Sequence, residues 1–246
     1  MKSTLTTTFC SALVGIGAVS LLAQQNPPES NAPGVIRRQQ EIAAASVPGS
    51  KTVRLERYRP EDPVRIVKLF EGDKEITATP PFRTTDGKPF LPAEGEDWIK
   101  NLKVVIQNVS NQKILSGYLV TSFPETGAGV IGDPVIAQSI MFGQMPEHYS
   151  RLGKKIDPSP DEVPLNLQPG QEFTVLFQPK YEEIKAAVET KRPLTAITTC
   201  LVQLGYFYFA NGIRWAPNNF QKPDPNMPGK YLQITADQFR TTTSNN

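Results

Sequence analysis

The chain has 246 residues, with 26 Lys and Arg against 24 Asp and Glu for a net charge of +2, two cysteines and a single histidine. A balance this close to neutral lacks the clustered cations that hold phosphate backbones, so nucleic acid is excluded as an expected partner. One histidine excludes a multi-histidine metal site and a metalloprotease helix, and no cofactor is implied.

The N-terminus reads as an export signal. Lys2 supplies one cation, a polar stretch runs to Thr8, and Phe9 to Ala23 is uncharged and rich in Ala, Val, Leu, Ile and Gly. That run of about fifteen residues is shorter than the ~18–20 a helix needs to cross a bilayer. Ala23 is a small residue suited to cleavage before Gln24, which predicts a signal peptide over 1–23; Leu21, large for the minus-three position, is the feature that speaks for an uncleaved anchor instead. Either way the remainder is expected outside the cytoplasm, periplasmic or extracellular, touching the membrane only through this segment if it stays attached. Cleavage removes Lys2 and Cys10, leaving Cys200 as the one cysteine and no internal disulfide. Cys200 lies in an apolar run and reads as a small buried hydrophobe.

Residues 24–60 are rich in Gln, Asn, Pro, Ser and Ala without a sustained period and read as a flexible linker. The folded domain is expected over 61–236, with 237–246 as a disordered tail. Its first strand is predicted at Val64–Phe70, mixed on both faces, and a short partner at Glu75–Thr79. The clearest alternation covers Leu102 to Gln107 and resumes from Ile114 to Phe123; the polar loop Asn108–Gln112 between them predicts a hairpin. Further strands are expected at Pro134–Phe142, Glu172–Gln178, Ala196–Phe209 and Lys230–Thr235, and Asn211-Gly212 predicts a type I′ turn leading into Ile213-Arg214-Trp215. One helix is predicted over Lys180–Lys191, with Tyr181, Ile184 and Val188 on one face and Pro193 ending it. Short antiparallel strands, one crossover helix and 23 prolines point to a mainly β, two-sheet sandwich of immunoglobulin-like type, without the cysteine pair of antibody domains.

Asp97-Trp98-Ile99-Lys100-Asn101-Leu102, Phe123-Pro124-Glu125-Thr126, Gln168-Pro169-Gly170 and Asn211-Gly212-Ile213-Arg214-Trp215 with Lys222-Pro223-Asp224-Pro225 resemble a group of uncharacterised exported bacterial proteins, over about residues 60–235. These are turn and strand-end residues with tryptophan packing. The resemblance implies an exported immunoglobulin-like β-sandwich and no activity.

Motifs with chemical content are few. Gly127-Ala128-Gly129-Val130-Ile131-Gly132 has dinucleotide-loop spacing, but Asp133-Pro134 follows at once where that loop needs a helix N-terminus. His148 has no Gly-x-Ser-x-Gly elbow to serve. The long segment from Pro124 to Gly170 is where a binding site is sought, and Met145–Lys155, with His148, Tyr149 and Arg151, presents cationic and aromatic side chains to an anionic partner. Trp215 is the candidate for stacking on a sugar, with packing at the core edge as the other reading; the same alternatives hold for Trp98. Tyr206 to Phe209 alternate across two faces, one of which is expected to be partly uncovered and to suit a protein partner or an oligomer. Asn108-Val109-Ser110 is an N-glycosylation acceptor, relevant only in a eukaryotic secretory pathway.

Three functions follow as expectations. The first is an exported non-catalytic module for protein interaction or envelope structure. The second is a carbohydrate-binding module. The third is a secreted hydrolase built on a carboxylate pair drawn from Glu94, Glu96, Asp97, Glu125, Asp133, Glu147, Asp161 and Glu162.

Overall fold

The computed structural model describes residues 48–55, 59–76, 89–92, 98–127, 135–145 and 163–242, together with the backbone of 148–149 and 155–156. The fold is mainly β, two sheets packed as a sandwich. The smaller sheet has the order β3-β2-β4-β9, from β2 (Val64–Glu71), β3 (Lys74–Glu75), β4 (Leu102–Asn108) and β9 (Glu172–Leu176), all antiparallel. The larger has the order β13-β12-β11-β10-β5-β6, from β5 (Ile114–Phe123), β6 (Ile136–Gly143), β10 (Thr199–Phe209), β11 (Arg214–Ala216), β12 (Asn219–Pro223) and β13 (Tyr231–Ile234). β1 (Thr52–Leu55) adds to β10 in parallel, and β7 (His148–Tyr149) with β8 (Lys155–Ile156) forms a separate two-stranded ribbon.

Alternation explains most strands directly. In β4, Leu102, Val104, Ile106 and Asn108 are buried; across the ladder Val104 faces the buried Val175, and Ile106 faces Phe173. β2 is less regular because its register shifts between Ile66 and Lys68. The extra residue reverses the phase, so Val64 and Ile66 point inward first and Leu69 afterwards, which is why the strand looks apolar on both faces in sequence. The core holds an aromatic seam: Phe173 of the small sheet meets Phe142 at 5.5 Å between ring centroids, Phe142 meets Phe207 at 5.8 Å, and Phe207 meets Trp215 at 5.9 Å. Helix α1 (Tyr181–Glu189) links β9 to β10 and buries Tyr181, Ile184 and Val188, the face its spacing predicts.

Four expectations are corrected. β4 and β5 form no hairpin, since they belong to different sheets. The cause is Asn108, fully buried, whose Nδ2 donates to Gln112 O at 2.7 Å and Leu167 O at 3.0 Å, while its Oδ1 accepts from the Ser110 N–H and hydroxyl; these bonds turn the chain from one sheet into the other. With its amide so engaged, Asn108 has no nitrogen to offer a glycan in the folded chain. The range expected to be linker includes a strand, because Val53 and Leu55 alternate with Thr52 and Arg54 and bury against β10. The range expected to be tail includes a helix: Ala236–Thr241 forms α2, started by a reciprocal Thr235–Gln238 capping box and fastened by Phe239, which packs on Phe209 at 4.8 Å and Phe220 at 4.9 Å. The turn after β10 is not type I′, since only Gly212 takes a positive φ, +79°. Gly212 N–H bonds Phe209 O and Phe209 N–H bonds Ile213 O, a three-residue loop whose last residue is left-handed. Among the described residues, β1 against β10 is the parallel pairing in the otherwise antiparallel sandwich that the sequence predicts.

Candidate functional site

The outward face of the large sheet carries the most concentrated set of recognition side chains among the described residues. A register shift between Leu204 and Phe207 keeps both residues inward and leaves Gly205 and Tyr206 together on the outside. Tyr118, from β5, lies over Gly205; a Cβ there would overlap its ring. Tyr118 and Tyr206 approach at 6.2 Å, and Arg214 of β11 sits with its Cζ 5.1 Å from the Tyr206 ring and 3.5 Å from that of Tyr231 on β13. Its Nε donates to Gln221 Oε1 at 2.6 Å. At the opposite end Tyr118 pairs with Met141 of β6, which is 49% exposed. A band of tyrosine, arginine and methionine thus crosses the sheet from β13 to β6.

Burial pushes the Tyr118 and Tyr208 hydroxyls above the ordinary phenol range, against the pull of the backbone bond at Tyr206 on the first and of Arg214 on the second. Both remain neutral and able to donate near pH 7. The stack holds Arg214 in place, so its side-chain entropy is already spent within the chain.

The band ends on β6, an edge strand with the sequence Ile-Ala-Gln-Ser-Ile-Met-Phe-Gly. The other edges carry protection of the kind that blocks unwanted pairing. β3 is two charged residues, β9 opens with Glu172 in a 3.0 Å ion pair with Lys68, β1 spans four residues and carries Arg54, and β13 is four residues long behind Lys230. β6 has no charge and no proline, and its pairing with β5 runs through all eight residues without a shift. Two bonds give the direction of its backbone groups: Ile136 N–H donates to Thr126 Oγ1 at 2.8 Å, and Gln138 O accepts from Thr121 Oγ1 at 3.3 Å. Even-numbered residues therefore turn toward β5, and the N–H and C=O of Ala137, Ser139 and Met141 face away from the sheet.

A separate cavity of about 310 Å³ lies where β2 begins, lined by Glu61, Asp62, Arg65, Ser110, Asn111 and Arg240 among others. Asp62 is 4% exposed; its Oδ2 accepts the Arg59 N–H at 2.6 Å, and its Oδ1 is buried without a hydrogen-bond partner. Burial raises its pKa above the usual carboxylate value, more than the Arg59 N–H, Arg59 and Arg65 lower it, and Glu61 adds to the rise.

The residues singled out from sequence fall elsewhere. Trp215 is fully buried between Phe207 and Phe220, so the structure gives it a packing place and no surface on which a sugar could stack; Trp98 is likewise buried, edge-on to Phe90 at 5.9 Å. The backbones of His148 and Tyr149 pair with Ile156 and Lys155, while their side chains, and the whole of Arg151, lie outside the described residues. So do Ala128 to Asp133 of the glycine-rich motif and every carboxylate named for hydrolysis except Glu125, whose Oε1 accepts from the Thr198 N–H and hydroxyl. Cys200 is buried, and burial pushes its thiol pKa well above the ordinary value, with Glu125 adding to the rise. Among the described residues, no three metal-ligating side chains converge. That Tyr206 and Tyr208 share a face was legible in their alternation, although Tyr208 is buried on it; Arg214, Tyr118 and Tyr231 were not legible, because they join it only through cross-strand register. No family model, curated protein or solved structure matches the chain.

Proposed function

We propose that the chain is an exported, immunoglobulin-like, non-catalytic module that binds a protein partner by strand addition at β6, with the adjoining tyrosine–arginine band as the side-chain part of the interface. The single observation that supports this most is the bare edge: eight uncharged residues in unbroken register, with the backbone groups of Ala137, Ser139 and Met141 turned outward. Main-chain groups offered this way give affinity to an added strand, while neighbouring side chains select it. Tyrosine, arginine and methionine are the residues enriched at such contacts, and here they run from the centre of the sheet to the edge.

The test is a photoreactive side chain at Met141 in cells that produce and export the protein, with Glu182 on the exposed face of α1 as the control position. A discrete protein adduct at 141, absent at 182 and lost on adding Ser139→Pro, is expected. No adduct at 141, or equal labelling at both positions, refutes the reading.

A further inference from the structure

We infer that the strand added at β6 is β6 of a second copy of this chain, antiparallel and related by a two-fold axis at Ser139. The inference rests on the reading of β6 as a docking edge and names its occupant. The parity of the strand carries it. In an antiparallel ladder, residues whose backbone groups point at the partner must face one another to exchange both bonds. A two-fold axis at Ser139 does this for the whole outward set: Ser139 faces its own copy, and Ala137 and Met141 face the partner's Met141 and the partner's Ala137.

Side chains agree with that register. On the outer face the small Ala137 stands opposite the long, exposed Met141, and serine meets serine. On the inner face Ile136 stands opposite Phe142, and Gln138 opposite Ile140, so that the two cores become continuous. β6 contains no charge, so no like charges oppose each other at any position. Joining at Met141 also brings the two tyrosine bands into one surface, since each Met141 is paired with Tyr118 of its own sheet. The symmetry explains how one edge can stay bare: a two-fold contact uses that edge on both copies, and the remaining edges, short or charged, do not extend the assembly.

The experiment is sedimentation of the purified full-length chain, alone and as Ser139→Lys and Ser139→Glu. Residue 139 is exposed, so neither substitution enters the core, and equal thermal melting of the variants at high dilution verifies this. The wild type is expected to dimerise with concentration. Each charged variant alone is expected to dimerise at least about tenfold more weakly, because it sets like charges against each other at the axis, and an equimolar mixture of the two should recover a mixed dimer. Mixing Ala137→Cys with Met141→Cys in a Cys10→Ser background should give a mixed disulfide that neither gives alone. A wild type that stays monomeric at all concentrations, or a Ser139→Lys chain that dimerises as the wild type does, overturns the inference. If the Met141 photoadduct then contains a different protein, the docking edge stands and self-pairing falls; if there is neither adduct nor dimer, both fall.

Discussion

Replacing Asn108 by alanine tests the account of how the chain passes between the sheets. The side chain donates to two carbonyls, Gln112 O and Leu167 O, and accepts from the Ser110 N–H and hydroxyl. Leu167 O keeps the Ile114 N–H, and in the variant the single Ser110 hydroxyl proton, no longer drawn to Asn108 Oδ1, is free for Gln112 O, so neither carbonyl is stranded completely. Each lost bond is therefore counted at the ordinary net value of ~0.5–1.5 kcal/mol, with about 1 kcal/mol more for the Ser110 N–H, giving ~2–4 kcal/mol in all. For a domain of this size, with an m-value near 2 kcal/mol/M, the urea midpoint should fall by about 1–2 M. Asn108→Asp keeps the shape but sets a carboxylate oxygen against both carbonyls, and should cost more than alanine. Val109→Ala, exposed in the same turn, should stay within about 0.5 kcal/mol. A midpoint for Asn108→Ala within about 0.3 M of wild type, or an Asp variant as stable as wild type, would refute the reasoning.

Three other outcomes follow. Trp215→Ala should cost ~3–5 kcal/mol and disturb near-ultraviolet circular dichroism, because a fully buried ring is removed; an intact fold with a lost glycan affinity would contradict the packing described. Gly205→Ala should cost ~1–3 kcal/mol through overlap with the Tyr118 ring, and Tyr118→Ala should remove most of that penalty in the double variant; simple additivity would show that the ring does not lie there. Asp62, whose folded pKa is raised by burial, binds its proton more tightly in the native state than in the unfolded chain. Its contribution to stability is therefore fully present below the unfolded value near 3.8 and declines as pH rises through the folded value. Acidification from neutral pH should accordingly shift the unfolding free energy in favour of wild type relative to Asp62→Asn, and a difference independent of pH would refute the buried, unpartnered Oδ1.

The strands that were legible in the sequence, β4, β5, β6 and β9, are those that carry a sustained alternating or apolar run of their own. β1 was missed because four residues carry little periodic signal beside a Pro- and Gln-rich stretch, and only β10 makes Val53 and Leu55 a buried pair. The false hairpin arose because a polar loop between two alternating runs looks the same whether the strands pair or part. The decision lies in Asn108, a residue whose burial no local pattern reports. α2 escaped notice because its stability comes from Phe239 against Phe209 and Phe220, contacts distant in sequence. The surface proposed for binding shows the same division. Tyr206 and Tyr208 could be placed on one face by counting, whereas Arg214 reaches Tyr231 only through β12, which the sequence reading did not contain.

Bareness alone would make β6 a hazard rather than an instrument, and its anchoring decides between the two. Phe142 packs against Phe207 of its own sheet and Phe173 of the other, Ile140 is buried, and the first residue is tied back by Thr126. Thr126 is itself fixed, its hydroxyl donating to Phe123 O at 2.7 Å. The strand is thus held from both ends and from beneath while its far side offers backbone groups to an incoming chain. An added strand meets a template that is already ordered, so the entropy lost on pairing falls mainly on the newcomer, and when the newcomer is a second β6, equally well fixed, it is small on both sides.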